Sequence, residues 1–437
     1  MVQRLLQIVS LGIVLATCLH GQSTLPASDS SGTQVGGSAS SDTASLPLVA
    51  EPLPGTSQTR LTTPDRYVSS LVSLFNADQS TSSARQLSRY YQSRSRSNVL
   101  RIPEMFGDFR SPGNQALVTL GTFNSLSFEL PVAAGIGGLR IAEDNQALPA
   151  DRFWFAYNHF DDGLQIDANG QGATPSNDQS LNRFIIAREF LLDEGRTSLE
   201  VRLPFGSAIN VSDNAVTGLA GGAYRLDSDS IGNLSFILKR LLYGDGCMAV
   251  STGLGVETPT GSSASFTTAD INITQEVDSV HLVPFIAASE RVHRWFGHAF
   301  AQLDIPIGDD PIVGRLSPVS AITTLAEIEA APQLGLDIGL GYWLKPKRCE
   351  SDFGLAAIAE LHLTTGLGDA DSATAVDGPT TLFLNNPVSV SDDLLNATFG
   401  VIASPGTGWS IRSAIVTPLR SQRVFDVEAI VQLNRTL

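Results

Sequence analysis

Lysine is nearly absent from this chain of 437 residues: Lys239, Lys345 and Lys347 are the three lysines among 28 basic residues, against 44 acidic ones. The resulting net charge of −16 excludes the basic face that a nucleic-acid-binding protein needs. Charged residues make up only 16% of the chain, below the usual quarter, which excludes a wholly disordered polymer. Beyond the N-terminus no run of about 18 apolar residues occurs, so a helical membrane protein is excluded. Three cysteines without CxxC or Cys/His spacing make neither a disulfide scaffold nor a metal site. Nucleophile elbows, Walker loops and HExxH are missing too. Gly253-Leu254-Gly255 follows a strand pattern but opens no helix, so it is no dinucleotide site. An enzyme, a catalytic or metal site and a cofactor are therefore not expected. Yet 42% of the residues are hydrophobic, and they need a large buried or lipid-facing surface.

The N-terminus reads as a targeting segment. Arg4 precedes an apolar run from Leu5 to about Leu19, the charged and apolar regions of a secretory signal. Small residues around Gly21-Gln22-Ser23 suit cleavage, giving a signal peptide over 1–23. Leu15-Ala16-Thr17-Cys18 loosely matches a lipidation box, but Thr17 is atypical there, and lipidation of Cys18 is the second choice. Cleavage leaves Cys247 and Cys349, either two separate thiols or one bridge. Residues 24–63, rich in Ser, Thr, Gly and Pro, read as a disordered linker. Tyr67, Leu71, Leu74 and Phe75 have helical spacing, so 64–97 is expected to be a short, partly helical segment. Its arginines Arg85, Arg89, Arg94 and Arg96 suit a solvated face better than a membrane-binding one.

From about residue 150 the pattern has period two. Leu334, Leu336, Ile338, Leu340 and Tyr342 alternate with Gly335, Asp337, Gly339 and Gly341. Leu355, Ala357, Ala359, Leu361 and Leu363 face away from Glu360, His362 and Thr364. Alternate residues of a strand point to opposite faces, so each segment has one apolar and one largely polar side. Twelve such segments are expected, near 152–160, 182–191, 197–205, 232–241, 247–257, 279–289, 295–306, 333–344, 353–366, 395–403, 409–419 and 424–435. Most match the roughly 9–11 residues that a transmembrane strand needs. Short and long connections alternate between them, as turns and outer loops do in outer-membrane barrels. The last hairpin breaks the rule, since Arg420 to Val424 is short where a long loop is due. Loops 161–181, 207–230, 258–278, 308–331 and 368–394 hold 19 acidic residues and two basic ones, Arg225 and Arg315. A solvated acidic rim explains this more cheaply than divalent-cation bridging, because no calcium-loop spacing occurs.

Together these features predict an all-β fold: a closed antiparallel transmembrane β-barrel of about 12 strands over 151–437, monomeric, in the cell outer membrane. Residues 98–150 form a periplasmic or plug-like segment. Arg or Lys on the lipid face costs about 2–4 kcal/mol at the midplane. Glu200, Arg202, Lys239, Asp304, Asp337, Glu360, His362, Arg412, Asp426 and Glu428 are accordingly expected to point inward and line a pore. There they either bias which solutes pass or pair with one another inside a closed barrel. His281 joins them as an interior group, and His293 reads as a solvated turn residue. Membrane lipid, the barrel-assembly machinery and small solutes are the expected partners.

The stretches Gly138–Asn145 and Leu148–Arg152, the aromatic run Phe153–Phe160 and the strand Ser198–Phe205 resemble exported barrels of planctomycete-type bacteria. Gly232–Lys239 and Thr252–Gly261 are similar to transporter-like outer-membrane proteins of the phenol-degradation-pathway type. The resemblance covers roughly 98–437. It implies an outer-membrane barrel and a porin-like or transporter-like channel for small solutes, with apolar aromatics among them. Such barrels usually end on an aromatic residue, whereas this chain ends on Leu437. The alternative is a non-conducting structural or surface-interaction barrel of the envelope, and a weaker third is a soluble exported β-sandwich.

Overall fold

The computed structural model describes residues 102–107, 117–121, 125–132, 138–164, 166–169, 179–213, 223–245, 247–347, 351–368, 372–377, 380–385, 393–406, 408–421 and 423–437. The expected signal peptide, linker and helical segment lie outside the described residues. Twelve strands close into one antiparallel barrel in which each pairs with its neighbours in sequence. They are Arg152–Leu164, Gln179–Leu192, Thr197–Gly206, Ser235–Gly244, Met248–Glu257, Val280–Val292, Trp295–Ile307, Gln333–Lys345, Gly354–Gly366, Leu394–Gly406, Trp409–Pro418 and Val427–Thr436. Closure comes from the last strand on the first, with Val427 opposite Asp161 and Thr436 opposite Arg152. All twelve expected segments are present, most of them shifted by a few residues at their ends.

The alternation read from the sequence decides which way each wall faces. On the eighth strand Ile338 and Leu340 are exposed, while Gly335, Asp337, Gly339 and Gly341 are buried. The ninth repeats this, with Leu361 outside and Glu360 and His362 inside. Aliphatic side chains thus cover the outside of the barrel, and charges fill its inside. That inverts a soluble β-sandwich, whose two sheets bury an apolar face between them.

Short turns gather at one end. His293 takes a left-handed φ of 58° in the tight turn between the sixth and seventh strands and is exposed, as expected of a turn histidine. Asp245 organises the turn before the fifth strand. Burial alone would raise its pKa, but its carboxylate accepts the N–H groups of Cys247 at 2.9 Å and Met248 at 2.8 Å. Those bonds outweigh burial and hold it below the ordinary carboxylate range.

Within the described residues the long loops are not irregular. They carry short strands that build two further sheets beyond the barrel's long-loop end. One runs Thr323–Ile328, Asp310–Arg315, Asn272–Gln275, Ala264–Thr268, Tyr224–Ser228, Ile209–Asp213. The other runs Ser372–Asp377, Thr380–Asn385, Leu117–Gly121, Ser125–Glu129, Ile166–Asn169. Each loop strand continues a neighbouring barrel strand. Among the described residues, the eleventh and twelfth barrel strands, joined by the short 419–426 connection, have no continuation of their own. The hairpin Leu117–Gly121/Ser125–Glu129 pairs instead with the strands that continue the tenth and the first. The segment before the barrel therefore closes the gap left by the short connection. Inside this outer wall the packing is apolar: Tyr224 stacks on Phe266 at 5.8 Å and Phe160 meets Phe425 edge-on at 5.5 Å, with Leu130, Val132, Leu226, Ile273, Ile312 and Leu382 buried beside them.

Inward glycines of the wall make room for a segment inside. A Cβ on Gly400 would come 2.3 Å from the Phe106 ring, one on Gly255 within 2.9 Å of Leu139 and Ile141, and one on Gly335 2.7 Å from the Arg140 guanidinium. We expect Gly400→Val to displace Phe106 and cost about 1–3 kcal/mol, as overpacking does. Thermal unfolding in detergent checks it, and an unchanged midpoint would show that Phe106 is not seated there.

Candidate functional site

The site is the barrel interior, and it is occupied. Residues 102–107 and 138–150 pass through the lumen and bond to each other, Met105 N–H to the Asn145 carbonyl at 2.8 Å. Most residues of these stretches are buried, with Glu104 and Leu148, Pro149 and Ala150 partly so. Polar groups taken out of water must be paired, and the wall charges supply the partners.

Nearest the short-turn end, Arg152 donates to Glu189 at 2.7 Å and Glu200 at 2.9 Å, with Asp144 at 3.6 Å. Lys239 stands 3.0 Å from Glu189 and donates to Asn145 Oδ1 at 2.8 Å and to the Gln146 carbonyl at 3.0 Å. Arg412 pairs with Asp144 and donates to the Glu104 carbonyl at 2.5 Å, its guanidinium 4.4 Å over the Phe106 ring.

Midway up, Glu360 receives the backbone N–H of Phe106 at 2.9 Å and of Gly107 at 3.0 Å. A carboxylate held by two N–H groups forms a charge-assisted clamp. Arg202 donates to Glu200 at 2.5 Å and to the carbonyls of Arg140 at 2.8 Å and Glu143 at 2.9 Å. Arg183 grips Glu143 with both terminal nitrogens, at 2.7 and 2.9 Å. Arg140 crosses to Asp337 at 2.6 Å and Thr364 at 2.7 Å, and His362 meets the same Asp337 at 2.8 Å.

Higher still, Gln302 accepts the Ile141 N–H at 2.7 Å and donates to the Leu139 carbonyl at 3.0 Å. Asp304 meets His281 at 2.7 Å. Above this level comes the apolar packing of the outer sheets. The cavity between Gly138, Arg140, Glu143, Arg183 and Arg202 measures about 20 Å³, room for roughly one water molecule.

Nine of the ten residues expected to line a pore point inward and are buried: Glu200, Arg202, Lys239, Asp304, Asp337, Glu360, His362, Arg412 and Glu428. Glu428 receives the Asn158 amide at 2.6 Å. Asp426 does not join them. The last strand begins at Val427, and Asp426 lies in the connection before it, 2.7 Å from Arg423 and partly exposed. The alternation stops at the strand's end, where a bend breaks the parity and buries Phe425 instead.

Sequence reading passed over the luminal partners Arg140, Glu143, Asp144 and Asn145, and the wall residues Arg183, Glu189 and Gln302. On the second strand Arg183 and Glu189 point in while Arg188 points out, stacked 4.4 Å over Phe190. Charge on both faces hid the alternation there. The clue was the dense polar run Arg140–Gln146 just before the barrel.

No family model and no curated protein matches the sequence. Solved structures similar to it include the COG4313 outer membrane channel from Pseudomonas putida F1, at 13% identity and TM-score 0.42, covering 67% of this chain and 98% of that one. The transport unit of the autotransporter AIDA-I from Escherichia coli is similar at 10% identity and TM-score 0.42, covering 70% and 95%. The TodX deltaS2S3 mutant monoaromatic hydrocarbon channel is similar at 9% identity and TM-score 0.39, covering 66% and 91%. At these scores the likeness carries no argument about activity, which has to come from the barrel itself.

Proposed function

We propose that this chain is an outer-membrane β-barrel that passes small solutes when its luminal segment moves. The observation behind this is the inverted barrel, with exposed aliphatic side chains outside and buried charges inside. Lipid is the solvent that such an exterior fits, and a closed barrel leaves no strand edge unpaired in it. Trp295, Tyr342, Tyr243 and Trp409 near the short-turn end suit a membrane–water interface. On this reading the acidic long loops face outside, and the barrel-assembly machinery inserts the chain after export. Twelve strands lie between the roughly eight that side chains fill and the sixteen or more that leave an open channel. Here the wall charges hold a segment rather than open water, so passage requires that segment to yield. The similarity of Gly232–Lys239 and Thr252–Gly261 to transporter-like outer-membrane proteins of the phenol-degradation-pathway type is what suggests apolar aromatic solutes.

The filled lumen favours a second reading, a non-conducting envelope barrel. Washing envelopes with carbonate or high salt should leave the protein in the membrane, and release without detergent would sink the outer-membrane reading. Current across planar bilayers then separates the two readings. A barrel that passes neither current nor solute, even with its luminal segment loosened, is the non-conducting one.

A further inference from the structure

The outside of the barrel is not evenly ridged. Around the ninth strand the outward side chains leave a shallow, open apolar groove of about 620 Å³. The register explains it. Ala357 lies opposite Tyr342 and Val401, and Ala359 opposite Leu340 and Phe399. Two methyl groups in a row are therefore flanked on both sides by larger side chains.

Toward the short-turn end the groove runs to the rings of Trp295 and Tyr342, packed with centroids 4.8 Å apart. Just beyond stand two exposed cations: Arg294, next to Trp295, and Lys345, whose ammonium lies 5.2 Å over the Phe353 ring. The backbone N–H of Trp343 donates to the Arg294 carbonyl at 2.8 Å, tying the end of the eighth strand to the turn before Trp295, so that both cations sit at the same rim.

We propose that this groove binds one anionic phospholipid, its acyl chain along Ala357 and Ala359 and its phosphate at Arg294 and Lys345. The proposal rests on the outer-membrane reading above, in which the short-turn end meets the phospholipid leaflet. Charge complementarity selects the occupant. Hydrocarbon alone would fill the groove without needing the cations, whereas an anionic headgroup uses both. A second copy of the chain fits less well, because a two-fold contact across this groove would bring Arg294 and Lys345 of one barrel against the same residues of the other.

Native mass spectrometry of the full chain in detergent, offered equal phosphatidylglycerol and phosphatidylcholine, should show one retained phosphatidylglycerol per barrel. Arg294→Gln with Lys345→Gln should weaken that retention about 30-fold, from the attraction each basic group has for anionic lipid. Ala359→Phe, which fills the groove, should weaken retention of both lipids. Equal retention of the two lipids by the unaltered chain, insensitive to these changes, would overturn the site. So would a dimer that Ala359→Phe dissociates, since a second copy would then be the occupant. If the chain leaves envelopes without detergent, the membrane reading itself has failed. A barrel that stays with the membrane but ignores headgroup charge rejects the lipid site alone.

Discussion

Arg152→Met is expected to destabilise the barrel by about 3–5 kcal/mol, the cost of removing one partner from a buried ion cluster. Arg152 begins the first strand and is buried. It meets Glu189 at 2.7 Å and Glu200 at 2.9 Å, and Asp144 of the luminal segment stands 3.6 Å away. Methionine fills similar space but leaves carboxylates short of positive charge in a site closed to water. Lys239 and Arg202 still reach Glu189 and Glu200, so the loss stays within this range instead of exceeding it. Thermal unfolding in detergent, read by the heat-dependent gel mobility of the folded barrel, measures the effect. Adding Glu200→Gln to the variant should recover part of the loss, because contacting residues are not additive. An unchanged midpoint would mean that the cluster is hydrated and holds nothing together.

Glu360→Ala combined with Arg140→Ala is expected to loosen the luminal segment and turn a closed barrel into a conducting one. Glu360 holds the N–H groups of Phe106 and Gly107, and Arg140 ties the descending stretch to Asp337 and Thr364. Hydrogen bonds to charged groups contribute about 1.5–3 kcal/mol each, so losing these removes much of what seats the segment midway up the barrel. Two measurements read the outcome. Planar bilayers should show stepwise current for the double variant and a closed state for the unaltered chain. With the exposed Cys247 and Cys349 replaced by serine, a cysteine placed at Met105 should react with a water-soluble maleimide in the variant and stay protected otherwise. Exposure of that cysteine without current would show that the loosened lumen still does not conduct, and the non-conducting barrel would then be the better reading. A folded variant with neither change would show that these contacts do not seat the segment.

Much of this architecture is legible in the sequence. Period-two alternation is a local property, so no distant partner need be known to see that Ile338 and Asp337 face opposite ways. For the same reason the alternation puts nine of the ten charges on the inward face, and it fails for Asp426 only where a strand end interrupts it. The parity of a strand names a face and is silent about what lies across it. Arg202 could be assigned to the interior, but not to the carbonyls of Arg140 and Glu143, which lie about sixty residues away in the chain.

The chain by itself therefore determined the strands, their inside and outside, and the end at which short turns gather, because those follow from neighbours two residues apart and from turn length. Only the tertiary structure decided that the interior is filled. It also decided that the hairpin Leu117–Gly121/Ser125–Glu129 completes the outer wall above the short last connection. Both depend on pairing distant segments, about 270 residues apart for the hairpin and up to about 330 for the luminal contacts, and no local pattern encodes which distant partner will satisfy a buried charge or an open sheet edge. The scarcity of lysine acquires its meaning there as well: Lys239 is enclosed within the lumen, whereas Lys345 stands exposed at the rim, a difference set by the surroundings of each residue and not by its type.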